Sequence, residues 1–355
     1  MSVRTLRFVG ALVAGATVLA ACGGGGAKSG AAKAKEVPTV VPTSEVTTTT
    51  APPVAPTSPL TGTAVANPAN QNRVALIVKI DNAPEARPQA GLVEADVVFE
   101  EQVEGGISRL MAIFQSGDAN PVGPVRSARS TDISIASELN HPLFGYSGAN
   151  AIFLKLVRSS PLVDVGVDLQ PSVYNRVKGR PAPHNLFSST SGLYSKAPAG
   201  AAAPPPLFVY RGVAEPPAGA GIAPASHAQV AFNNRLQVSA YDWNAGTGSW
   251  DRTENGTPHV DIAGRRASPK NVIIQMVNYH NTGLVDPSGS PVPEAELIGT
   301  GEAWILSGGM IVKGTWTKPS ASAVTTYTDP AGAPVKLAPG ATWVELAPPG
   351  TATSS

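Results

Sequence analysis

The 355-residue chain lacks several features by which a protein class is usually recognised. A single cysteine, Cys22, excludes an intramolecular disulfide. The 26 Lys and Arg residues balance 25 Asp and Glu residues, a formal charge of +1, and this excludes the basic footprint of nucleic-acid binding. Aromatic residues make up only 6% of the chain. No cysteine cluster or His-x-x-x-His pair is present, so we expect no zinc or other metal site, and nothing in the sequence predicts a cofactor.

The N-terminus has the form of a secretion signal. Residues 1–21 begin with positive charge, continue with an apolar run over residues 8–19, and end in small residues. That run is shorter than the about 20 apolar residues of a membrane-spanning helix. Residues 19–22 (LAAC) resemble a bacterial lipobox, which implies that Cys22 is lipidated and starts the mature chain. We therefore predict a lipid anchor at the extracytoplasmic face of the bacterial membrane; an ordinary secretory peptide is the alternative.

The remaining chain divides by composition and pattern. Residues 22–72 are predicted to be the lipidated cysteine and a disordered linker, because Thr-, Pro- and Ala-rich sequence without apolar periodicity cannot build a core. Strand and helix patterns alternate over residues 73–226, which predicts an α/β or α+β N-terminal domain with a mixed sheet. Short strands between turn signals predict a smaller β-rich C-terminal domain over residues 227–348. Residues 349–355 are expected to be a frayed tail.

A predicted β-hairpin over residues 96–114 organises the first of these domains. Residues 105–106 are Gly-Gly, and glycine readily supplies the positive φ angles that a two-residue turn needs. The register of such a turn places Arg109 on the same face as Glu100 and Glu104, within reach of both. We expect the opposite face to build core.

Two arginines stand just before a predicted helix. Arg126 and Arg129 precede Ser130 and Thr131, either of which can cap the helix, with Asp132 in its first turn. Backbone N–H groups at a helix start attract anions, and guanidinium groups hold carboxylates or phosphates in fork geometry. We therefore predict that this loop binds an anionic ligand of the cell envelope.

The predicted ligand-binding set gathers the polar residues around the hairpin and this loop. It comprises Asp81, Asn82, Arg87, Glu100, Glu104, Arg109, Arg126, Arg129, His184 and Asn185. A structural interpretation has equal weight. In that interpretation, Arg109 only neutralises the two glutamates, and the other arginines brace loops through backbone carbonyl groups.

Catalysis is a weaker hypothesis, and the sequence identifies no catalytic residue. Glu100 and Glu104 lie about 13 Å apart along a strand, at about 3.3 Å per residue. The carboxylate pair of a glycosidase is separated by about 5–9.5 Å. Ser127 with His184 lacks the Gly-x-Ser-x-Gly setting of a nucleophilic serine. A hydrolase or transferase acting on peptidoglycan or an attached polymer is the second hypothesis. A structural lipoprotein acting through unidentified protein partners is the third.

Several motifs together resemble one family. They are residues 79–82 (KIDN), 86–92 (ARPQAGL), 103–109 (VEGGISR), 122–129 (VGPVRSAR), 256–261 (GTPHVD) and 339–343 (PGATW). The chain resembles the YerB-type family of bacterial lipoproteins, whose domains are of unknown function. The resemblance covers residues 74–348 and implies an α/β N-terminal domain, a smaller β-rich C-terminal domain and an envelope location. It implies no activity.

Overall fold

The computed structural model describes residues 56–232, 237–286 and 289–355. The predicted signal peptide, Cys22 and the first part of the predicted linker lie outside these residues. The described helices are α1 (Ser130–Ala136), α2 (Ala151–Ser159) and α3 (Thr190–Tyr194), with short 3-10 helices at Pro68–Asn70, Pro84–Ala86, Glu104–Gly106 and Pro171–Val173. None of the described helices is long and apolar enough to cross a membrane.

Strands dominate the described residues. In chain order they are β1 (Leu76–Asp81), β2 (Val97–Gln102), β3 (Ser108–Phe114), β4 (Leu143–Gly145), β5 (Val163–Asp164), β6 (Tyr174–Arg176), β7 (Leu186–Ser188), β8 (Val209–Tyr210), β9 (Ala223–Pro224), β10 (His227–Phe232), β11 (Gln237–Asn244), β12 (Ser249–Glu254), β13 (Thr257–Pro258), β14 (Asn271–Met276), β15 (Tyr279–Val285), β16 (Pro291–Ala295), β17 (Gly299–Ser307), β18 (Met310–Lys318), β19 (Thr326–Thr328), β20 (Lys336–Leu337), β21 (Thr342–Ala347) and β22 (Ala352–Ser354).

The largest sheet is mixed and has 11 strands, in the order β19-β18-β17-β14-β21-β2-β3-β1-β4-β5, with β9 added beside β18. Its pairs β14/β21, β2/β21, β1/β4 and β4/β5 are parallel, and the others are antiparallel. A five-stranded antiparallel sheet has the order β13-β12-β11-β10-β22. The predicted fold class is confirmed: the protein combines a large mixed sheet, few helices and a second β-rich region.

The large sheet contains strands from both sides of the predicted domain boundary at residue 226. Strand β21 lies between β14 and β2 and pairs in parallel with both. The C-terminal part of the chain therefore completes a sheet that the N-terminal part begins. The boundary itself stays a prediction from sequence composition.

The central strands bury side chains on both faces of the large sheet. On the first face, Leu110 and its neighbours share a hydrophobic core with residues of the five-stranded sheet such as Trp250. We call this the second-sheet face. On the opposite face, Met111 belongs to a core that includes Ile135 of α1, and we call it the α1 face. Both faces of the hairpin are buried in core, whereas the predicted hairpin had core on one face and Arg109 with Glu100 and Glu104 on the other.

The β2/β3 hairpin has a different register from the predicted one. Glu101 lies opposite Arg109, whereas a two-residue turn would place Gln102 there. The cause is a longer loop around the 3-10 turn Glu104–Gly106, which the hydrogen bond from Val103 N–H to the Ile107 carbonyl oxygen closes at 3.0 Å. Because side chains alternate along a strand, a shift of one residue moves the partner to the other face.

Two segments expected outside the folded part belong to it. Leu60, in the predicted linker, is fully buried in the α1-face core, and its carbonyl oxygen accepts a hydrogen bond from Tyr210 Oη at 2.5 Å. The expected frayed tail instead contains β22, which pairs with β10. Apolar packing orders the first segment, and pairing at a sheet edge orders the second. Neither sequence has a strong secondary-structure propensity of its own.

Deletion of residues 351–355 is expected to lower the free energy of unfolding by about 2 kcal/mol. The deletion removes backbone hydrogen bonds to β10, including those from Ala231 N–H to Thr351 and from His227 N–H to Ser355, each worth about 0.5–1.5 kcal/mol. Urea unfolding and amide hydrogen exchange measure the effect. Unchanged exchange at Ala231 and His227 would contradict the pairing.

Candidate functional site

The predicted site residues divide between two buried clusters, one on each face of the central strands. The α1-face cluster contains Asp81, Glu104, Arg109, Arg126, Arg129 and His184. The second-sheet cluster contains Asn82, Arg87 and Glu100. Asn185 joins neither cluster, because its amide group bonds Arg176 and the Arg180 carbonyl oxygen instead.

In the α1-face cluster, Glu104 lies between two guanidinium groups. Arg109 Nη2 lies 3.0 Å from Glu104 Oε1, and Arg129 Nε donates to Glu104 Oε2 at 2.8 Å. A second contact joins Arg129 Nη2 to Glu104 Oε1, so Arg129 and Glu104 form a bidentate ion pair. Burial lowers the pKa of both arginines, and nearby carboxylates act against that shift. The predicted pairing of Arg109 with Glu104 is therefore present.

Asp81 joins a second arginine and a histidine to this cluster. Its Oδ2 lies 2.9 Å from Arg126 Nε and 2.8 Å from His184 Nδ1. The Arg126 side chain remains 24% exposed, and among the described residues nothing accepts a hydrogen bond from its two terminal nitrogens. Burial lowers the pKa of Arg126, Asp81 raises it, and the neighbouring charge of Arg109 lowers it further. Arg126 therefore presents a positive group at the surface of the cluster.

The loop that carries these arginines continues into α1. The helix begins at Ser130, and Arg129 occupies the N-cap position. The Asp132 carboxylate accepts the Arg129 N–H at 2.6 Å, which satisfies a donor at the helix start. The prediction that Ser130 or Thr131 caps the helix is wrong, because the first-turn carboxylate reaches back to the preceding residue.

Sequence reasoning missed the most deeply buried charges on the α1 face. Lys79 is fully buried and forms ion pairs with Glu101 and with Asp132, the latter at 2.6 Å. Burial raises the pKa of Glu101 to about 7; Lys79 opposes this shift, and the negative charge of Asp132 adds to it. A lysine within an otherwise apolar strand was the available signal, since fully buried lysine is rare unless it is paired.

A cavity of about 520 Å³ lies beside Arg129. Its polar lining includes Ser127, Arg129, Asn150 and the acidic Asp286. Asn150 also caps α2 by accepting the Ile152 N–H at 2.8 Å. Its apolar lining includes Phe153. The cavity has the size of a small-ligand site and combines an apolar wall with a few polar groups, as such sites do.

The second-sheet cluster is centred on Glu100, which the structure separates from Arg109. Glu100 Oε2 pairs with Arg252 at 2.5 Å and accepts a hydrogen bond from Ser239 at 2.9 Å; Asn82 donates to Oε1 at 3.1 Å. Burial raises the pKa of Glu100, but Arg252 and the hydroxyl donors outweigh it and leave the pKa lowered. Glu100 therefore belongs to a closed network and shares no site with Arg109.

Glu345 lies directly opposite Glu100 in the parallel β2/β21 pair. Burial and the negative charge of Glu100 raise the pKa of Glu345 well above its usual value. Tyr241 forms a hydrogen bond to Glu345, and the Arg252 guanidinium lies 4.6 Å from the centre of the Trp343 ring. Arg252 therefore compensates the charge of Glu100, and the adjacent Glu345 ionises less readily than Glu100.

The geometry gives no support to a glycosidase pair made by Glu100 and Glu104. Each carboxylate is bound to its own arginine, Glu100 to Arg252 and Glu104 to Arg129, on different sides of the hairpin. By contrast, Arg129 and Arg109 share Glu104, and Arg126 lies close enough to Arg109 for the two charges to interact. The Arg109 Nη1 atom donates to the Ser127 carbonyl oxygen at 3.2 Å and ties the strand to that loop.

The fold and the motifs around both clusters define a known class of protein. The chain belongs to the family described as "Protein of unknown function (DUF3048)": the model of its N-terminal domain matches residues 60–202, and the model of its C-terminal domain matches residues 228–344. The resemblance drawn from the motifs is confirmed.

A curated relative and a solved structure belong to one species. "Putative lipoprotein YerB" of Bacillus subtilis (strain 168) is 26% identical over 297 residues, which are 82% of this chain and 86% of that protein. The crystal structure of YerB protein from Bacillus subtilis aligns with a TM-score of 0.72 at 24% identity. It covers 84% of this chain and 99% of that chain. The structural likeness shows a shared fold.

Proposed function

We propose that the protein is a bacterial lipoprotein, held at the extracytoplasmic face of the membrane by lipid on Cys22, that binds an anionic ligand of the cell envelope. The lipobox-like sequence at residues 19–22 and the name of the Bacillus relative support the anchor. The arrangement of the α1-face cluster supports the ligand.

The observation that carries the ligand proposal is the environment of Arg126. Its guanidinium group is partly exposed, only Asp81 pairs with it among the described residues, and Arg109 adds positive charge behind it. A phosphate or carboxylate oxygen can accept hydrogen bonds from both terminal nitrogens at once. Arg129 differs, because its Nε and Nη2 atoms already contact the Glu104 carboxylate. Arg126, which does not line the cavity beside Arg129, therefore supplies the hydrogen bonds at the surface of the α1-face cluster.

Substitution Arg126→Ala is expected to weaken binding of an anionic probe by at least about tenfold, since hydrogen bonds to charged groups contribute about 1.5–3 kcal/mol. Full-length protein in detergent is titrated calorimetrically with glycerol phosphate, and envelope material that copurifies is identified by mass spectrometry. Arg126→Lys keeps the positive charge but loses the two-donor geometry of the guanidinium group. Its affinity for the probe should therefore lie between that of the unaltered protein and that of Arg126→Ala.

The matched control is Arg158→Ala. Arg158 is also an arginine with one carboxylate partner, Asp164 at 3.4 Å, but it lies at the end of α2. This variant should bind the probe as the unaltered protein does. Equal binding by folded Arg126→Ala protein, at an unchanged melting temperature, would refute the ligand site.

One observation favours the second candidate, a hydrolase or transferase acting on an envelope polymer. Asp81 orients His184 through Nδ1 at 2.8 Å, the arrangement that prepares an imidazole as a general base. Measurement of peptidoglycan fragments released by the full-length protein and by its His184→Gln variant separates the candidates. Turnover that depends on His184 supports a hydrolase or transferase, whereas binding without turnover supports a ligand-binding protein.

A further inference from the structure

A second cavity, of about 330 Å³, opens where the loop after β1 meets the β12/β13 turn. Arg87, Glu254 and His259 line it, and we call it the Arg87 cavity. The exposed residues Asn255, Thr257 and Pro258 form part of its rim, which gives solvent access. Its volume is at the lower end of the range for small-molecule sites. Arg126 and Arg129 do not line it.

Glu254 supplies a buried negative group to this cavity. The residue is 2% exposed, and its carboxylate lies 2.6 Å from Arg252 Nη2 and 3.4 Å from Arg87 Nη2. Neither oxygen accepts a well-aligned hydrogen bond from the described residues. Burial raises the pKa of Glu254, and Arg252 acts against this shift. Arg252 already pairs with Oε2, so Oε1 is the oxygen that gains a favourable partner when a donor group enters the cavity and displaces Arg87 from it.

Arg87 supplies the positive group. Its Nη2 donates to the Asn82 carbonyl oxygen at 2.7 Å, which fixes the side chain, and 20% of the side chain is exposed. The 3.4 Å separation between Arg87 Nη2 and Glu254 Oε1 is an ion pair without a hydrogen bond, so a ligand that enters between these two groups breaks no hydrogen bond of this pair. A planar guanidinium suits a carboxylate in particular.

His259 adds no third charge. The Arg252 guanidinium contacts its Nδ1, so that atom accepts a hydrogen bond, and Nε2–H donates to Gln89 Oε1 at 2.9 Å. Burial lowers the pKa of His259 well below its usual value, and the positive charge of Arg252 lowers it further. Both ring nitrogens form hydrogen bonds within the protein, and the uncharged ring forms part of the cavity lining. The cavity therefore has one negative and one positive pole.

We propose that the Arg87 cavity binds a small zwitterion, an amino acid or the end of a short peptide. Its ammonium group donates to the Glu254 carboxylate, and its carboxylate accepts from Arg87. This site is independent of the anion site at Arg126, so either can fail alone.

Calorimetric titration of the full-length Arg126→Ala variant in detergent with dialanine tests the proposal, because this variant lacks the other proposed site for a carboxylate. Ethylamine and propionate each present one pole of the zwitterion and serve as comparison probes. Dialanine should bind at least about tenfold more tightly than either, because it alone satisfies both poles. Absence of dialanine binding at millimolar concentration, or equal binding of a one-pole probe, overturns the proposal.

Variants locate the binding in this cavity. Glu254→Gln and Arg87→Gln each remove one pole and should weaken dialanine binding by at least about tenfold. Thr257→Trp, at an exposed rim position, fills the cavity without altering a buried charge and should do the same. Each of these changes is made in the Arg126→Ala background. Normal binding by folded Thr257→Trp protein would place the ligand elsewhere and overturn the proposal.

Discussion

Substitution Arg252→Met is expected to lower the free energy of unfolding by about 3–5 kcal/mol, the cost of leaving buried charge uncompensated. Arg252 has no solvent exposure and pairs with Glu100 at 2.5 Å and Glu254 at 2.6 Å. Methionine preserves apolar volume and removes the charge that both carboxylates share. Urea unfolding followed by circular dichroism measures the loss.

Two comparisons separate the effect of charge from the effect of packing. In the double variant Arg252→Met with Glu100→Gln, one unpaired carboxylate is gone, so part of the lost stability should return. No recovery would indicate that lost stacking on Trp343 dominates. The exposed control Arg265→Met removes an arginine whose side chain is 50% exposed, and it should cost no more than about 1 kcal/mol.

The Glu101→Gln variant is expected to change how stability depends on pH. The pKa of Glu101 is about 7 in the folded chain, compared with 4.5 for an unperturbed glutamate. Between these values the folded chain keeps a proton that the unfolded chain has released, so stability falls as the pH rises. At about 1.4 kcal/mol per pH unit, Glu101 accounts for a loss of about 3 kcal/mol between pH 4.5 and 7.

Urea unfolding at pH 5 and pH 8 tests this expectation. A glutamine side chain cannot ionise, so the variant should gain about 3 kcal/mol relative to the unaltered protein on going from about pH 5 to about pH 8. The exposed Glu85→Gln variant should follow the unaltered protein at both pH values. Parallel pH profiles of the Glu101→Gln variant and the unaltered protein would show that Glu101 does not carry this proton.

The sequence predicted those features that depend on neighbouring residues or on a pattern within one segment. Motifs such as residues 122–129 identified the family, and strand patterns indicated a mixed sheet with a second β-rich region. The pairing of Arg109 with Glu104 followed from the tight turn that separates them by five positions. Each of these inferences needs only local geometry.

The hairpin register shows where local geometry stops being sufficient. Gly105 and Gly106 both have positive φ, 73° and 78°, as a two-residue turn would require. The same pair also fits a longer loop, and the turn sequence alone does not discriminate between the two. The arrangement of β2 between β3 and β21 accompanies the longer loop, and one residue of shift carries Glu100 away from Arg109.

By itself, then, the sequence determined the family, the mixed sheet with its β-rich partner, and the residue types available for binding anions. Only the tertiary structure decided which charges meet. Glu100 and Arg252 are 152 positions apart, and Lys79 and Asp132 are 53 positions apart. No periodicity or turn signal joins residues at such separations. Burial forces each of these charges to find a partner, and the partner is whichever opposite charge the packing of the two sheets and α1 brings within reach.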